Sequence, residues 1–160
     1  VIANLVKKYL YDRGLNDNDF IKYGIGYCTS GEYGGRVILP SYSESNRLNY
    51  FVGRSYDGNY FKYKNPEVSK DIIFFENLIN WNAPIILCEG VFDAIAIRRN
   101  AIPLLGKNIP NSLYKKIITS KLTDIYIALD LEMGFKAFTE LIQQAEELDL
   151  SGLMLHKLDL

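Results

Sequence analysis

The chain has 160 residues, 48% of them apolar and 23% charged, which suits one ordinary folded domain or two small lobes and excludes a disordered tail. The formal charge is −1, so the total does not advertise nucleic-acid binding, and no apolar run reaches the ~18 residues of a membrane span. The average hides a gradient: residues 1–129 hold 16 Lys/Arg and 12 Asp/Glu, whereas residues 130–160 hold 2 and 7, which leaves room for a locally basic face. Cys28 and Cys88 lack CxxC spacing and His156 is the only histidine. A zinc knuckle, a disulfide scaffold, a His-rich metal site and a local Ser/His/Asp triad are therefore disfavoured. Starting at Val1 without a signal peptide, the sequence reads as a piece of a larger cytoplasmic protein.

In chain order, Ile2 to Leu10 spaces its apolar residues like an amphipathic helix, with Gly14 as the stop. Asn16 to Lys22 reads as a second short helix. Three β-type runs follow, Arg36 to Pro40, Leu48 to Arg54 and Tyr60 to Tyr63, the last two separated by the hairpin signal Asp57-Gly58. Tyr, Gly, Asn and Ser dominate this half, which predicts a small antiparallel sheet with helices. The texture changes near residue 80. Pro84 to Cys88 is a continuous apolar run suited to a strand buried on both faces. A helix over Val91 to Asn100 and a short strand at Pro103 to Leu105 come next. Then come a helix over Asn111 to Ser120 capped by Asn111 or Ser112, and a second buried strand at Ile125 to Leu129. A long helix over Met133 to Leu148 and a short strand at Leu153 to Leu155 complete the chain. Alternating strands and helices predict a parallel sheet with crossover helices. The expected fold is an α+β lobe over residues 1–80 and an α/β lobe over residues 81–160.

Ligands of open α/β sheets sit at the carboxyl ends of strands. Glu89 directly follows the first buried strand and Asp130 the later one, with Glu132 two residues on, in a loop entering a helix. If those strands are neighbours, three carboxylates converge. Two carboxylates ~5 Å apart at an effective dielectric of ~20 repel by roughly 3 kcal/mol, so the arrangement calls for a divalent cation. All-oxygen ligands with open positions suit Mg²⁺ or Mn²⁺ that retains waters and grips phosphates, and metal-assisted phosphoryl transfer is the chemistry implied. Asp93, one turn into the helix, is a further metal candidate or a first-turn acid. No GxGxxG or GxxxxGK[ST] follows a strand, which disfavours a dinucleotide site and a P-loop. The order of lone acid and acid pair is the reverse of a receiver-like domain.

The segment Ile85-Ile86-Leu87-Cys88-Glu89-Gly90-Val91-Phe92-Asp93 resembles the first motif of a Toprim domain, Leu105-Gly106-Lys107-Asn108 its next loop, and Ile125 to Asp130 with Glu132 its DxD strand. Tyr9-Leu10-x-x-Arg13-Gly14, Gly35-Arg36-Val37-Ile38-Leu39-Pro40, Gly53-Arg54 and Lys62-Tyr63-x-Asn65-Pro66-Glu67 stand in the order seen in bacterial-type (DnaG-like) primases, including those of phages and mobile elements. That resemblance covers nearly the whole chain. It implies synthesis of short RNA primers on a single-stranded DNA template from nucleoside triphosphates, in DNA replication and in partnership with a replicative helicase. The active site would lie in a cleft between the lobes. By position, Glu89 matches the motif glutamate of acid/base or metal work, and Asp130 and Glu132 match the metal-binding aspartates. Arg36, Arg54, Lys62 and Lys70 match basic positions near template or nucleotide phosphate, and Lys107 is a further phosphate candidate. Glu132 is one methylene longer than the usual aspartate, and the Asp130 to Ala137 segment is one residue shorter than the family pattern.

Two other readings are compatible with these residues: a Toprim nuclease or topoisomerase-like strand cutter, and a non-catalytic module that grips single-stranded nucleic acid. Tyr50, Tyr56, Tyr60 and Tyr63 crowd the first lobe, where tyrosines either stack on bases or pack across strands. Cys88 reads as a small core residue.

Overall fold

The computed structural model describes residues 1–58, 61–106, 108–147 and 152–158. They belong to two units, Val1–Ser69 and Lys70–Leu160. The boundary falls about ten residues before the change of texture near residue 80, because Ile73 is buried in the second unit's core and Ile79 and Trp81 pack against it. No helix among the described residues is long and apolar enough to cross a membrane.

The first unit opens with α1 (Ile2–Asp12), which buries Val6 and Leu10. It continues with α2 (Asp17–Lys22), held by a reciprocal cap: Asn16 accepts from the Asp19 backbone N–H and Asp19 accepts from that of Asn16. Four antiparallel strands follow in the order β1-β2-β3-β4: β1 (Gly26–Cys28), β2 (Arg36–Tyr42), β3 (Leu48–Ser55) and β4 (Tyr63–Lys64). β1 carries too short and glycine-rich a sequence to show a period of two. Tyr60 lies outside the described residues, and the strand that follows the Asp57-Gly58 turn pairs at Gly53↔Lys64 and Arg54↔Tyr63. Gly53 is required there, since a Cβ at that position would sit 2.5 Å from the Lys64 carbonyl oxygen.

The second unit is a four-stranded sheet in the order β6-β5-β7-β8, every pair parallel. Its strands are β5 (Ile85–Cys88), β6 (Ala101–Pro103), β7 (Asp124–Ala128) and β8 (Met154–Lys157). The helices are α3 (Val91–Ile97), α4 (Asn111–Thr119) and α5 (Leu131–Glu147). Ile85, Leu87, Ile125 and Ile127 form the middle of the core with Leu113 and Leu141, as expected for strands covered by helices. Asn100 anchors the approach to β5: its amide donates to the carbonyls of Asn80 and Pro84 and accepts from the Asn80 N–H.

Several boundaries differ from the sequence pattern for local reasons. α3 stops early because Arg98 adopts a left-handed conformation (φ 54°). β6 begins two residues ahead of Pro103, and the chain turns at Leu105 (φ 58°). The N-cap of α4 is Pro110; Ser112 instead uses its N–H and hydroxyl to bind Asp71. α5 starts at Leu131, two residues before Met133, so Glu132 stands in its first turn rather than in a loop.

Candidate active site

Strands β5 and β7 are neighbours in the sheet, with Cys88 opposite Ala128. Glu89 and Asp130 therefore leave the same carboxyl edge. The Glu89 carboxyl is raised above the usual carboxylate range by partial burial, by nearby Asp130 and by the Asp93 charge. Local backbone holds the neighbouring acids Asp130 and Asp93. Asp130 Oδ1 accepts from the Met133 N–H at 2.9 Å, capping α5, and Asp93 Oδ2 accepts from the Gly90 N–H at 3.1 Å. Asp93 thus takes the first-turn position while adding its field to Glu89. The Glu89 carbonyl accepts from the N–H of Leu105 at 3.1 Å, so the left-handed residue of the β6–α4 loop is pinned against this edge.

Asp130 and Asp93 both bear on Glu89. Among the described residues no three His, Cys, Asp or Glu side chains gather as metal ligands. The expected convergence of Glu89, Asp130 and Glu132 into a three-carboxylate metal group is therefore not found among the described residues. The local geometry there is set by the start of α5. With α5 starting directly after Asp130, that residue becomes the helix cap and Glu132 a first-turn acid. Two oxygen donors still fit Mg²⁺ or Mn²⁺, hard ions that keep several waters and are held by one or two carboxylates plus substrate phosphates. Cys88, beside the acids, has its thiol pushed up to about 12 by burial and by the charges of Asp93 and Glu89, which leaves it a core residue and no nucleophile.

The basic candidates occupy different surroundings. Arg36 is only 6% exposed, and its Nη1 donates to the carbonyls of Lys62 at 3.3 Å and Gly53 at 3.5 Å, which ties β2 to β3 and to the approach of β4. Arg54 donates from Nε to the Tyr9 hydroxyl at 3.0 Å and lies over the Tyr63 ring, 4.7 Å from its centre. Lys62 is exposed. Lys70, in the second unit, lines a cavity of 440 Å³ with Asp71, Leu104, Gly106, Asn108 and Asn111. Lys107 lies outside the described residues. Of the tyrosines, Tyr50 is buried in the core and Tyr63 is exposed. Phe61, 74% exposed, is a surface aromatic that sequence reasoning missed; its only signal was its place two residues before Tyr63.

No family model matches the chain. An uncharacterized protein of Mycoplasma genitalium, MG010, is 32% identical over 139 residues, which cover 80% of this chain and 62% of that protein. Its Mycoplasma pneumoniae homolog is 29% identical over 138 residues, covering 81% and 65%. The chain thus spans less than two thirds of the length of these curated relatives. Among solved structures, the DnaG primase catalytic domain bound to ssDNA superposes with a TM-score of 0.82 at 18% identity, over 99% of this chain and 64% of that one. The Escherichia coli primase catalytic core gives 0.76 at 17% identity, over 99% and 66%.

The chain has the fold of the DnaG primase catalytic core. The α+β unit followed by the α/β unit expected from the sequence is the arrangement of that fold, and Glu89 and Asp130 follow the strands β5 and β7 of the parallel sheet.

Proposed function

We propose that the chain is the polymerising core of a primase-type nucleotidyltransferase, which makes RNA primers on single-stranded DNA from nucleoside triphosphates. The observation that carries this reading is the placement of Glu89 and Asp130 after neighbouring parallel strands, at one carboxyl edge of the sheet, within a fold shared with primase catalytic cores over 99% of the chain. In the reaction, the oxygen of a 3′-hydroxyl attacks the α-phosphorus of the incoming triphosphate, the α–β phosphoanhydride bond breaks, and pyrophosphate leaves. A bound Mg²⁺ or Mn²⁺ would neutralise triphosphate charge and stabilise what develops on the transferring phosphoryl group. Glu89 and Asp130 would hold the ion, and Asp93 keeps the loop at Gly90 in place. Arg54, Lys62 and Lys70 would meet template or nucleotide phosphates, contacts that added salt weakens. A replicative helicase is the partner this activity implies.

The exposed rings of Tyr63 and Phe61 suit a second reading, a module that grips single-stranded nucleic acid without polymerising. Incorporation of labelled ribonucleotides on a single-stranded template with Mn²⁺ decides between them. Synthesis that Asp130→Ala abolishes supports the polymerase; template binding with no synthesis, unaffected by Asp130→Ala, supports the module; template cleavage supports neither and points to a nuclease.

A further inference from the structure

The loop between β6 and α4 forms one wall of the 440 Å³ cavity that Lys70, Gly106, Asn108 and Asn111 help to line. Three ties fix that loop within the second unit. The Leu105 N–H donates to the Glu89 carbonyl at 3.1 Å, which joins the loop to the acid edge. The head of α4 is bound by Asp71, whose Oδ1 accepts from the Ser112 N–H at 2.8 Å and whose carbonyl accepts from the Ser112 hydroxyl at 2.9 Å. The ammonium of Lys136, on α5, donates to Asn108 Oδ1 at 2.8 Å.

The third tie is unusual for an exposed helical lysine. Such a lysine ordinarily pairs with a glutamate four residues along. Here the Glu140 carboxylate stands 3.9 Å away and accepts the Tyr114 hydroxyl at 3.1 Å, while the close contact is to a neutral amide of another segment. An ammonium has only protons to offer. The Asn108 oxygen is thus committed to Lys136, and the amide has its N–H donors left, on a residue that lines the cavity. Asp71 is the one carboxylate among the described lining residues, and the head of α4 engages it. Lys70 and the Asn108 amide therefore suit the cavity to an anion.

We propose that Lys136 is a positioning residue of the nucleotide site: by holding Asn108 Oδ1 it presents the Asn108 N–H groups to a phosphate oxygen of the incoming nucleoside triphosphate. This rests on the polymerase reading. Lys136 acts through Asn108 and does not itself meet the nucleotide. Asp130 caps α5 at its head and Lys136 lies on the same helix, so one element holds both the acid and the support of the amide.

The test is a double-mutant cycle over Lys136→Met, Asn108→Ala and both together, with Lys136→Arg as the conservative replacement. Affinity for mant-ATP with Mn²⁺ is read by fluorescence, and KM and kcat for ATP by incorporation on an oligothymidylate template. Template affinity is read by anisotropy and stability by thermal melting. Asn108→Ala should weaken mant-ATP binding about 10-fold, the worth of one hydrogen bond to a charged group. Lys136→Met keeps the length and loses the donor; a loss of about 3–10-fold in affinity is expected, with KM raised alike and kcat within about twofold. Lys136→Arg should restore most of it. The double variant should be no weaker than Asn108→Ala alone, and template affinity and melting temperature should stay parental, since both side chains are exposed. Additive losses in the double variant would mean that Lys136 meets the phosphates itself, which overturns the positioning role. Lys136→Met with parental nucleotide affinity and KM, whatever its melting temperature, overturns it too and leaves the polymerase reading standing. A parent protein that incorporates no ribonucleotide sinks the polymerase reading and this inference with it.

Discussion

The guanidinium carbon of Arg54 lies over Tyr63, 4.7 Å from the ring centre, while its Nε donates to the Tyr9 hydroxyl at 3.0 Å. Arg13 in turn lies 5.3 Å from the centre of the Tyr9 ring. Arg13, Tyr9, Arg54 and Tyr63 thus form a chain of contacts, and Tyr63 is 47% exposed and Phe61 74%. Cations stacked on rings leave the outer ring faces available for bases. Tyr63→Ala and Phe61→Ala should each weaken binding of a labelled oligothymidylate by about 1–3 kcal/mol, the usual worth of a base stacked on an aromatic ring. Fluorescence anisotropy titrations measure this, and unchanged affinity in both variants would remove the rings from the interface. Arg54→Lys should lose part of the same energy, because an ammonium has no plane to stack.

Arg36 carries a different expectation although both arginines flank glycine in the sequence. It is buried, and its Nη1 serves two backbone carbonyls. Arg36→Met keeps most of the aliphatic length and removes the donor, leaving those carbonyls short of a charged partner. Loss of about 1–3 kcal/mol in urea unfolding is expected. A variant as stable as the parent, with weakened oligonucleotide binding, would show that the side chain works for the ligand and not for the sheet.

How much of this was legible in the sequence depends on which physical signal each part carries. The apolar runs before Glu89 and Asp130 supply the buried residues Ile85, Leu87, Ile125 and Ile127 of the core, so the strands and their parallel order were readable. Asn16 signalled the start of α2 through its side-chain oxygen. The placement of Glu132 was hidden, because deciding whether a helix starts at Leu131 or Met133 requires knowing that Asp130 turns to cap it. The roles of Arg36 and Arg54 were equally opaque: both follow glycine near a strand end, and only the register of β4 against β3 decides which one meets carbonyls and which meets rings. Ser112 looked like a cap from its position, but Asp71, 41 residues away, claims it.

Gly53 provides a direct check on that register. The added methyl of Gly53→Ala would lie 2.5 Å from the Lys64 carbonyl oxygen, a backbone atom that moves only if β4 shifts. The cost of such overpacking is about 1–3 kcal/mol, and the change should also lower oligonucleotide affinity because Tyr63 travels with β4. Thermal unfolding followed alongside anisotropy tests this; an Ala variant with parental stability and affinity would mean β4 approaches β3 less closely.

The Glu89 carboxyl supplies the pH prediction. Its folded-state value is raised above the ordinary 4.5 by partial burial, by Asp130 and by Asp93, so folding disfavours its charged form. A raised carboxylate destabilises the fold wherever it is ionised in both states, and the penalty disappears as pH falls through the folded value and then below about 4.5, where both states are protonated. Glu89→Gln should therefore raise the melting temperature of the metal-free protein at pH 7 and lose that advantage progressively on acidification, with the two proteins melting together near pH 4. Added Mn²⁺ with a nucleotide analogue should reverse the order at pH 7, because binding to the parent's paired carboxylates stabilises the folded state by mass action and the variant has lost one of them. Differential scanning calorimetry at several pH values, with and without Mn²⁺ and analogue, measures both effects. A Glu89→Gln variant less stable than the parent at pH 7 without metal would mean that the carboxylate is welcomed by its surroundings and not crowded by Asp130.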